Sequence, residues 1–239
     1  MEEDKENKKK GKLFIVSTPI GNLEDITLRA LKVLKEVDLI AAEDTRRTKI
    51  LLNHYEIKKP LISYFEYNKV YKGKLIIEQL TKGKNVALVS DAGTPGISDP
   101  GYLLIKQSLD KGISVIPISG ISALSTAISV SGLPANRFTF LGFLPLKKNK
   151  RKSLLEKYKE SDDTLIIFES PYRIIKTLTE IKELIGDREI ALCRELTKMY
   201  EEIFRGKISS ASEEFSKRKS IKGEFTLVIG GVTPVTIQK

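Results

Sequence analysis

Tryptophan is absent from this chain of 239 residues, and cysteine and histidine occur once each. A single cysteine, Cys193, excludes an internal disulfide and makes a reducing cytoplasm the simplest home. The single histidine, His54, sits in the helix end Leu51-Leu52-Asn53-His54-Tyr55 and reads as a packing or capping residue. No apolar run approaches the length that crosses a bilayer, and the charged amino terminus, Met1 to Lys12, lacks the apolar core of a signal peptide, so a soluble protein is expected. The G-x-G-x-x-G spacing of a dinucleotide cradle is missing, so NAD or FAD binding is not indicated. Neither an internal repeat nor a low-complexity linker is visible.

What is present is globular: 41% of residues are hydrophobic, and the length allows one large domain or two of ordinary size. The net charge of +10 favours polyanionic partners, but most of the 41 basic side chains are lysine, so charge alone decides little.

The most informative stretch runs from Val86 to Gly101. Val86-Ala87-Leu88-Val89 reads as a buried strand ending in Ser90-Asp91, and three glycines and two prolines then fall within nine residues. No helix or strand interior tolerates that density, so the chain must leave the sheet as a shaped loop before Ser98/Asp99 and Pro100 start the helix from Gly101 to Lys111. Loops of this kind sit at the carboxyl ends of strands, where α/β proteins bind ligands. Glycine there lets a ligand approach the main chain, and Asp91 offers a fixed carboxylate.

The same pattern recurs along the first half. The strand Lys12 to Ser17 ends in Thr18-Pro19-Ile20-Gly21-Asn22-Leu23, and Thr27 caps the following helix. A second strand, Val37 to Ala42, ends in Glu43-Asp44-Thr45-Arg46-Arg47-Thr48. Two acids and two arginines at a strand-to-helix junction fit either a capped helix with ion pairs or a site, and scarce arginine favours the site. Further strands are expected over Leu61 to Tyr64 and Ile113 to Ile118, with helices over Phe65 to Leu80 and from an opening Ser119-Gly120-Ile121-Ser122-Ala123 to about Ser131. Such repeated strand-loop-helix units predict a parallel sheet with helices on both faces.

After Gly132-Leu133-Pro134 the pattern changes. Strands are expected over Phe138 to Phe143, Thr164 to Glu169, Arg188 to Cys193, Glu202 to Gly206 and Phe225 to Gly230, giving a second, mixed sheet. Lys147, Lys148, Lys150, Arg151 and Lys152 precede a helix expected over Ser153 to Lys159. Cations there oppose the helix dipole, which favours a phosphate-binding role over a solvated loop. The tails, Met1 to Gly11 and Thr233 to Lys239, are expected to be disordered.

Taken together, these loops resemble one family. The stretches Ser17 to Leu23, Glu43 to Thr48, Ser90 to Gly101, Gly142-Phe143-Leu144-Pro145, Phe168 to Arg173, Cys193 to Lys198 and Gly223-Glu224-Phe225 match, in order, the bacterial 16S ribosomal RNA (cytidine 2′-O)-methyltransferases of the tetrapyrrole methylase superfamily. Phe65, Tyr67 and Tyr172 stand where relatives often carry histidines, and Ser119-Gly120-Ile121 replaces a proline-glycine-proline type turn.

The resemblance implies two α/β domains, 12–118 and 119–232, with S-adenosylmethionine in the cleft between them, and a homodimer. It implies a cofactor pocket using Pro19, Asp91, Gly93, Thr94, Ile97, Ser122, Ala123, Glu169, Leu196 and Phe225. A ribose hydroxyl is weakly acidic, so a base or an alkoxide-stabilising cation is expected among Glu43, Arg46, Glu195 and Lys198. Lys198, with its pKa lowered and Glu195 as orienting partner, is the first choice for the base. Arg47, Arg173 and Arg194 read as phosphate or carboxylate clamps, and no metal is required. Two rivals remain: a methylase of a small tetrapyrrole-type molecule, and a non-catalytic RNA-binding ribosome-assembly factor.

Overall fold

The computed structural model describes residues 10–232, and the expectations about the two tails fall largely outside that range. The chain divides into two compact units between Ser122 and Ala123.

The first unit holds β1 (Lys12–Val16), α1 (Leu28–Glu36), β2 (Leu39–Ala42), α2 (Thr45–His54), β3 (Leu61–Ser63), α3 (Lys69–Thr81), β4 (Val86–Val89), α4 (Gly101–Asp110) and β5 (Ser114–Ile118). Its sheet has the order β3-β2-β4-β1-β5, with every pairing parallel. Strand alternation explains why it is covered twice, because successive side chains leave opposite faces. Val16, Ile40, Ala42, Ala87 and Val89 join α1 and α2 in one core cluster. Leu13, Ile15, Ala41, Val86 and Leu88 join α3 and α4 in the other. Thr27 caps α1 as expected, its side chain accepting from the Ala30 amide at 3.1 Å.

The second unit holds α5 (Ala123–Ser131), β6 (Phe138–Phe143), α6 (Lys148–Glu156), β7 (Thr164–Glu169), α7 (Ile174–Ile185), β8 (Glu189–Arg194), β9 (Glu202–Lys207), α8 (Ile208–Ser216) and β10 (Phe225–Ile229). Its sheet, β6-β7-β10-β8-β9, is mixed, with β6 and β7 parallel and the other pairings antiparallel. One cluster containing Leu155, Ile174, Leu178, Ile181 and Phe215 packs α6, α7 and α8 on one face, while α5 lies against β8 and β10.

Three elements differ from the sequence reading, the first being α3, which starts at Lys69 instead of Phe65 because Asn68 closes a turn with Phe65. Helix α8 has no counterpart in that reading, although Ile208, Ala211 and Phe215 form its buried stripe and the Asp187 carboxylate accepts from both the amide and the hydroxyl of Ser209. The three serines between those apolar residues hide the helical period. Helix α6 starts at Lys148 instead of Ser153, so most of the basic run is itself helical.

Arg151 is the reason. Its side chain turns inward, where the guanidinium pairs with both oxygens of Glu180 on α7 and donates to the carbonyls of Pro145 and Leu146 at 2.8 and 3.0 Å. Arg151 is 4% exposed, so it is a clamp between α6 and α7 and not a phosphate ligand. Lys147, Lys148, Lys150 and Lys152 remain exposed. On the phosphate-binding role expected from the sequence, neutralising these four lysines flattens the salt dependence of binding to an RNA probe by about 0.7–0.9 in log-log slope for each phosphate no longer neutralised. The check is filter binding between about 50 and 300 mM salt, and an unchanged slope would reduce the run to a solvated surface.

Candidate active site

In the first unit the loops after β1 and β4 are joined into one floor. Thr18 and Gly93 exchange both main-chain hydrogen bonds at 2.9 Å, the Ser17 and Thr94 hydroxyls meet at 2.9 Å, and the Thr18 hydroxyl donates to the Ser90 carbonyl at 3.1 Å. Gly93 has φ of +80°, which a β-branched residue adopts only with strain. The sharp turn that follows is pinned by Asp99, whose Oδ1 accepts from the amides of Gly96 and Gly101 at 2.6 and 2.9 Å.

The end of β2 is laced to the same loop. The Asp44 amide donates to Asp91 Oδ1 at 2.9 Å, the Asp91 amide donates to Glu43 Oε2 at 3.3 Å, and Arg47 reaches Asp91 Oδ2 at 3.6 Å. Burial raises the pKa of Glu43; the Asp91 amide works against this, and the charges of Asp91 and Asp99 add to it. Burial also raises Asp99, against the hydrogen bonds it accepts. Asp44 caps α2, accepting from the Arg46 amide, and holds the Arg46 guanidinium with both oxygens, which lowers its own pKa well below the carboxylate range. A cavity of about 130 Å³ opens beside this floor, lined by Thr18, Pro19, Leu23, Arg47, Ser90 and Asp91 among others.

In the second unit the carboxyl end of β8 turns sharply. Glu195 and Thr197 both take left-handed φ, +51° and +65°. For threonine this is a genuine outlier, a kind of strain that concentrates at functional sites. The turn is held by the segment before β10: the Glu195 amide donates to the Glu224 carbonyl at 3.0 Å, and the Glu224 amide donates to Glu195 Oε1 at 2.9 Å. Lys198 Nζ donates to Glu195 Oε1 at 2.8 Å and to Glu224 Oε2 at 3.0 Å. Burial works against the Lys198 ammonium, but the two carboxylates outweigh it and hold its pKa above the ordinary lysine value. Glu195 is pulled down, its burial outweighed by Lys198 and the Glu224 amide. The expected lowering of the Lys198 pKa is therefore reversed: Glu195 is the partner expected, and Glu224 is a second carboxylate that the sequence did not place there.

Similarity to known proteins bears on this geometry. The family model described as Tetrapyrrole (Corrin/Porphyrin) Methylases matches residues 12–212. The chain belongs to the tetrapyrrole methylase family. A relative in Thermotoga maritima, named Ribosomal RNA small subunit methyltransferase I, is 55% identical over 221 residues, covering 92% of this chain and 99% of that one. A Bacillus subtilis protein of the same name is 51% identical over 92% of this chain and 75% of its own length. Among solved structures, uroporphyrin-III C-methyltransferase from Thermus thermophilus, complexed with S-adenosyl homocysteine, superposes with a TM-score of 0.64 at 18% identity, over 91% of this chain and 97% of that one. At that identity the likeness carries the two-domain α/β fold, as expected.

The floor of the first unit suits a methylase's cationic cofactor. In a chain with a net charge of +10, the loop from Ser90 to Gly101 carries two acids and no basic residue. Carboxylate, hydroxyl and main-chain carbonyl oxygens are the acceptors that an ammonium and ribose hydroxyls require, and the carboxylates offset the positive charge of a sulfonium. Gly93 and Pro95 are buried, whereas Ile97 presents an apolar side chain, 41% exposed. The cavity is smaller than the roughly 300 Å³ of a typical ligand pocket. It has room for part of such a molecule.

The remaining expected residues fall into two groups. Pro19, Thr94, Ser122 and Ala123 lie on the loops or the helix start, partly exposed, and Arg47 keeps most of its surface. The others are turned into the protein. Glu169, 2% exposed, accepts from the Ser170 amide and the Thr177 hydroxyl and pairs with Arg173, so it anchors the start of α7. Phe225 packs its ring on Phe215 in the core, and Leu196 is buried, which leaves their main chains as the groups that could meet a ligand. Arg194 is not an open clamp, because it donates to the Lys222 carbonyl and pairs with Glu202; Arg173 likewise donates to the Leu144 carbonyl. Sequence reasoning missed Asp99, Gly223 and Glu224 as site residues, although all three lie within the motifs that carry the family resemblance. Gly223 has φ of +100°, and a Cβ there would stand 2.5 Å from Glu195 Cγ.

Within the described residues no group of three or more His, Cys, Asp or Glu side chains could hold a metal. No helix among them is long and apolar enough to cross a membrane.

Proposed function

We propose that this chain methylates the ribose 2′-oxygen of a cytidine in 16S ribosomal RNA, on the small subunit, as a cytoplasmic homodimer. The observation that carries the reading is the 55% identity to a small-subunit ribosomal RNA methyltransferase along 99% of that relative's length. The cofactor is S-adenosylmethionine, whose sulfonium supplies the activated methyl group when bound. Pro19, Asp91, Gly93, Thr94 and Ile97 of the first unit would help hold it, it would supply the methyl group to the 2′-oxygen, and the hydroxyl proton passes to a base on the protein.

Glu43 is the better proton acceptor of the candidate set, because burial lifts it toward the working pH. Lys198, held as a cation by Glu195 and Glu224, is suited to stabilise charge growing on the attacking oxygen. Asp44 holds Arg46 tightly at 2.6 Å, whereas Arg47 meets Asp91 only at 3.6 Å with much of its side chain exposed, so Arg47 takes the phosphate role in the first unit. Positioning is the largest lever in such an in-line transfer, and the cross-laced loops supply it.

Ribose-methylation mapping of small-subunit RNA from cells with and without the gene tests the reading. One cytidine should lose its mark in the deletion and regain it on complementation; an identical map would end the proposal.

Glu43 also predicts a pH dependence. Its carboxyl binds a proton more tightly in the folded state, so its contribution to stability is full below the ordinary glutamate pKa and is lost as pH rises through the raised folded value. Glu43→Gln removes that loss. The variant should melt above the parent at pH 8 and close to it at pH 4, while turnover falls by roughly 10²-fold or more. Melting curves at the two pH values, with single-turnover assays, read both effects.

A further inference from the structure

Aromatic side chains make up 7% of the chain, yet three of them fall within the seven residues Phe65 to Tyr71, and all three face solvent. Tyr67 is 95% exposed, Tyr71 65% and Phe65 37%. This is no slack loop. Asn68 closes it, its Oδ1 accepting from the Phe65 amide at 2.9 Å and its Nδ2 donating to the Ser63 carbonyl at 3.3 Å and hydroxyl at 3.2 Å. The Phe65 and Tyr67 rings stand 6.3 Å apart at 69°, forming an open corner, and Lys72 Nζ lies 5.6 Å from the Tyr71 ring centroid.

The position of the corner is set by the sheet. Strands β2 and β3 pair in parallel with Ala42 opposite Ser63, and the Tyr64 amide donates to the Ala42 carbonyl at 2.7 Å. The residue after Ala42 is Glu43. Glu43 and Tyr64 line one small cavity, so the aromatic corner rises from the same carboxyl edge as the candidate base.

Resting on the reading of the chain as an RNA ribose methyltransferase, we propose that Tyr67 and Tyr71, with Phe65, form a stacking platform for unpaired bases of the RNA beside the nucleotide to be methylated. Sequence-tolerant binding of single strands takes π-faces held open to solvent together with nearby cations. A ribose in a paired helix leaves its base stacked away from the protein, whereas a splayed single strand presents bases to be gripped and its 2′-hydroxyl to the base. Rigid display by Asn68 means that little ordering entropy opposes the stacking.

The test is titration of a fluorescein-labelled single-stranded 12-mer RNA containing cytidine with the full chain at 100 mM salt. Tyr67→Ala and Tyr71→Ala should each weaken binding about 5- to 100-fold, Tyr67→Phe should retain it, and the salt slope should not change, because no charge is removed. S-adenosylmethionine affinity by calorimetry should equal the parent's. Parent-like binding by both alanine variants, equal weakening by Tyr67→Phe, or failure of the parent to bind the RNA would overturn the proposal. So would a change in sedimentation that shows the patch joining two copies of the chain. Methyl transfer to small subunits is assayed separately, so a catalytic reading that fails is told apart from a platform that fails.

Discussion

Arg151→Ala is expected to destabilise the second unit by about 3–5 kcal/mol, the cost of stripping one partner from a buried ion pair. The arginine side chain is 5% exposed and Glu180 14%, so water cannot take over the guanidinium's role. Removal would leave the Glu180 carboxylate without its cation and the Pro145 and Leu146 carbonyls without their donor. Glu180 is held ionised chiefly by its hydrogen bonds from Arg151, which outweigh its burial. Thermal melts should fall by roughly 6–20 °C. Lys148→Ala and Lys150→Ala, on the same helix but exposed, should stay within about 0.5 kcal/mol of the parent. An Arg151→Met, Glu180→Leu double variant should recover much of the loss, since apolar replacement of both partners removes the desolvation cost. An Arg151→Ala protein that melts like the parent would show that the clamp carries nothing.

Lys198→Ala should lower turnover by roughly 10²-fold or more while S-adenosylmethionine binds almost as before, the scale seen when one preorganised donor to a developing oxyanion is removed. Glu195 would keep the Glu224 amide as a donor, so the turn after β8 should survive. The pH profile separates the roles. If Lys198 acts as a cation, the acid limb of turnover persists in Lys198→Ala and disappears in Glu43→Gln; the opposite pattern would return Lys198 to the role of base. Near-normal turnover in Lys198→Ala would remove it from the chemistry.

Much of the fold was legible because each strand in the first unit is short, apolar and followed by a loop of small residues. Their alternating faces then dictate helices above and below. Helix α8 escaped because serine at 209, 210 and 212 blurs the stripe of Ile208, Ala211 and Phe215. The candidate site was legible as loops, but not as pairings. In the run from 147 to 152 only its being the one arginine sets Arg151 apart, and that does not tell a clamp from a phosphate ligand until Glu180 is seen beside it. Nothing local to Lys198 reveals that Glu224 will arrive from 26 residues away and raise its pKa instead of lowering it. Charge in sequence is a string of signs, whereas a pKa depends on which charges are neighbours.

The bare Cα of Gly223 constrains inheritance as well as geometry. A Cβ at 223 would stand where the Glu195 side chain now lies, 2.5 Å from its Cγ and 2.8 Å from its Cδ. The backbone there, at φ of +100°, also disfavours any substituted residue. A descendant that acquires a larger residue at 223 must shorten or displace residue 195, and with it surrender the carboxylate that holds Lys198. Residue 223 can therefore change only if residue 195 changes with it.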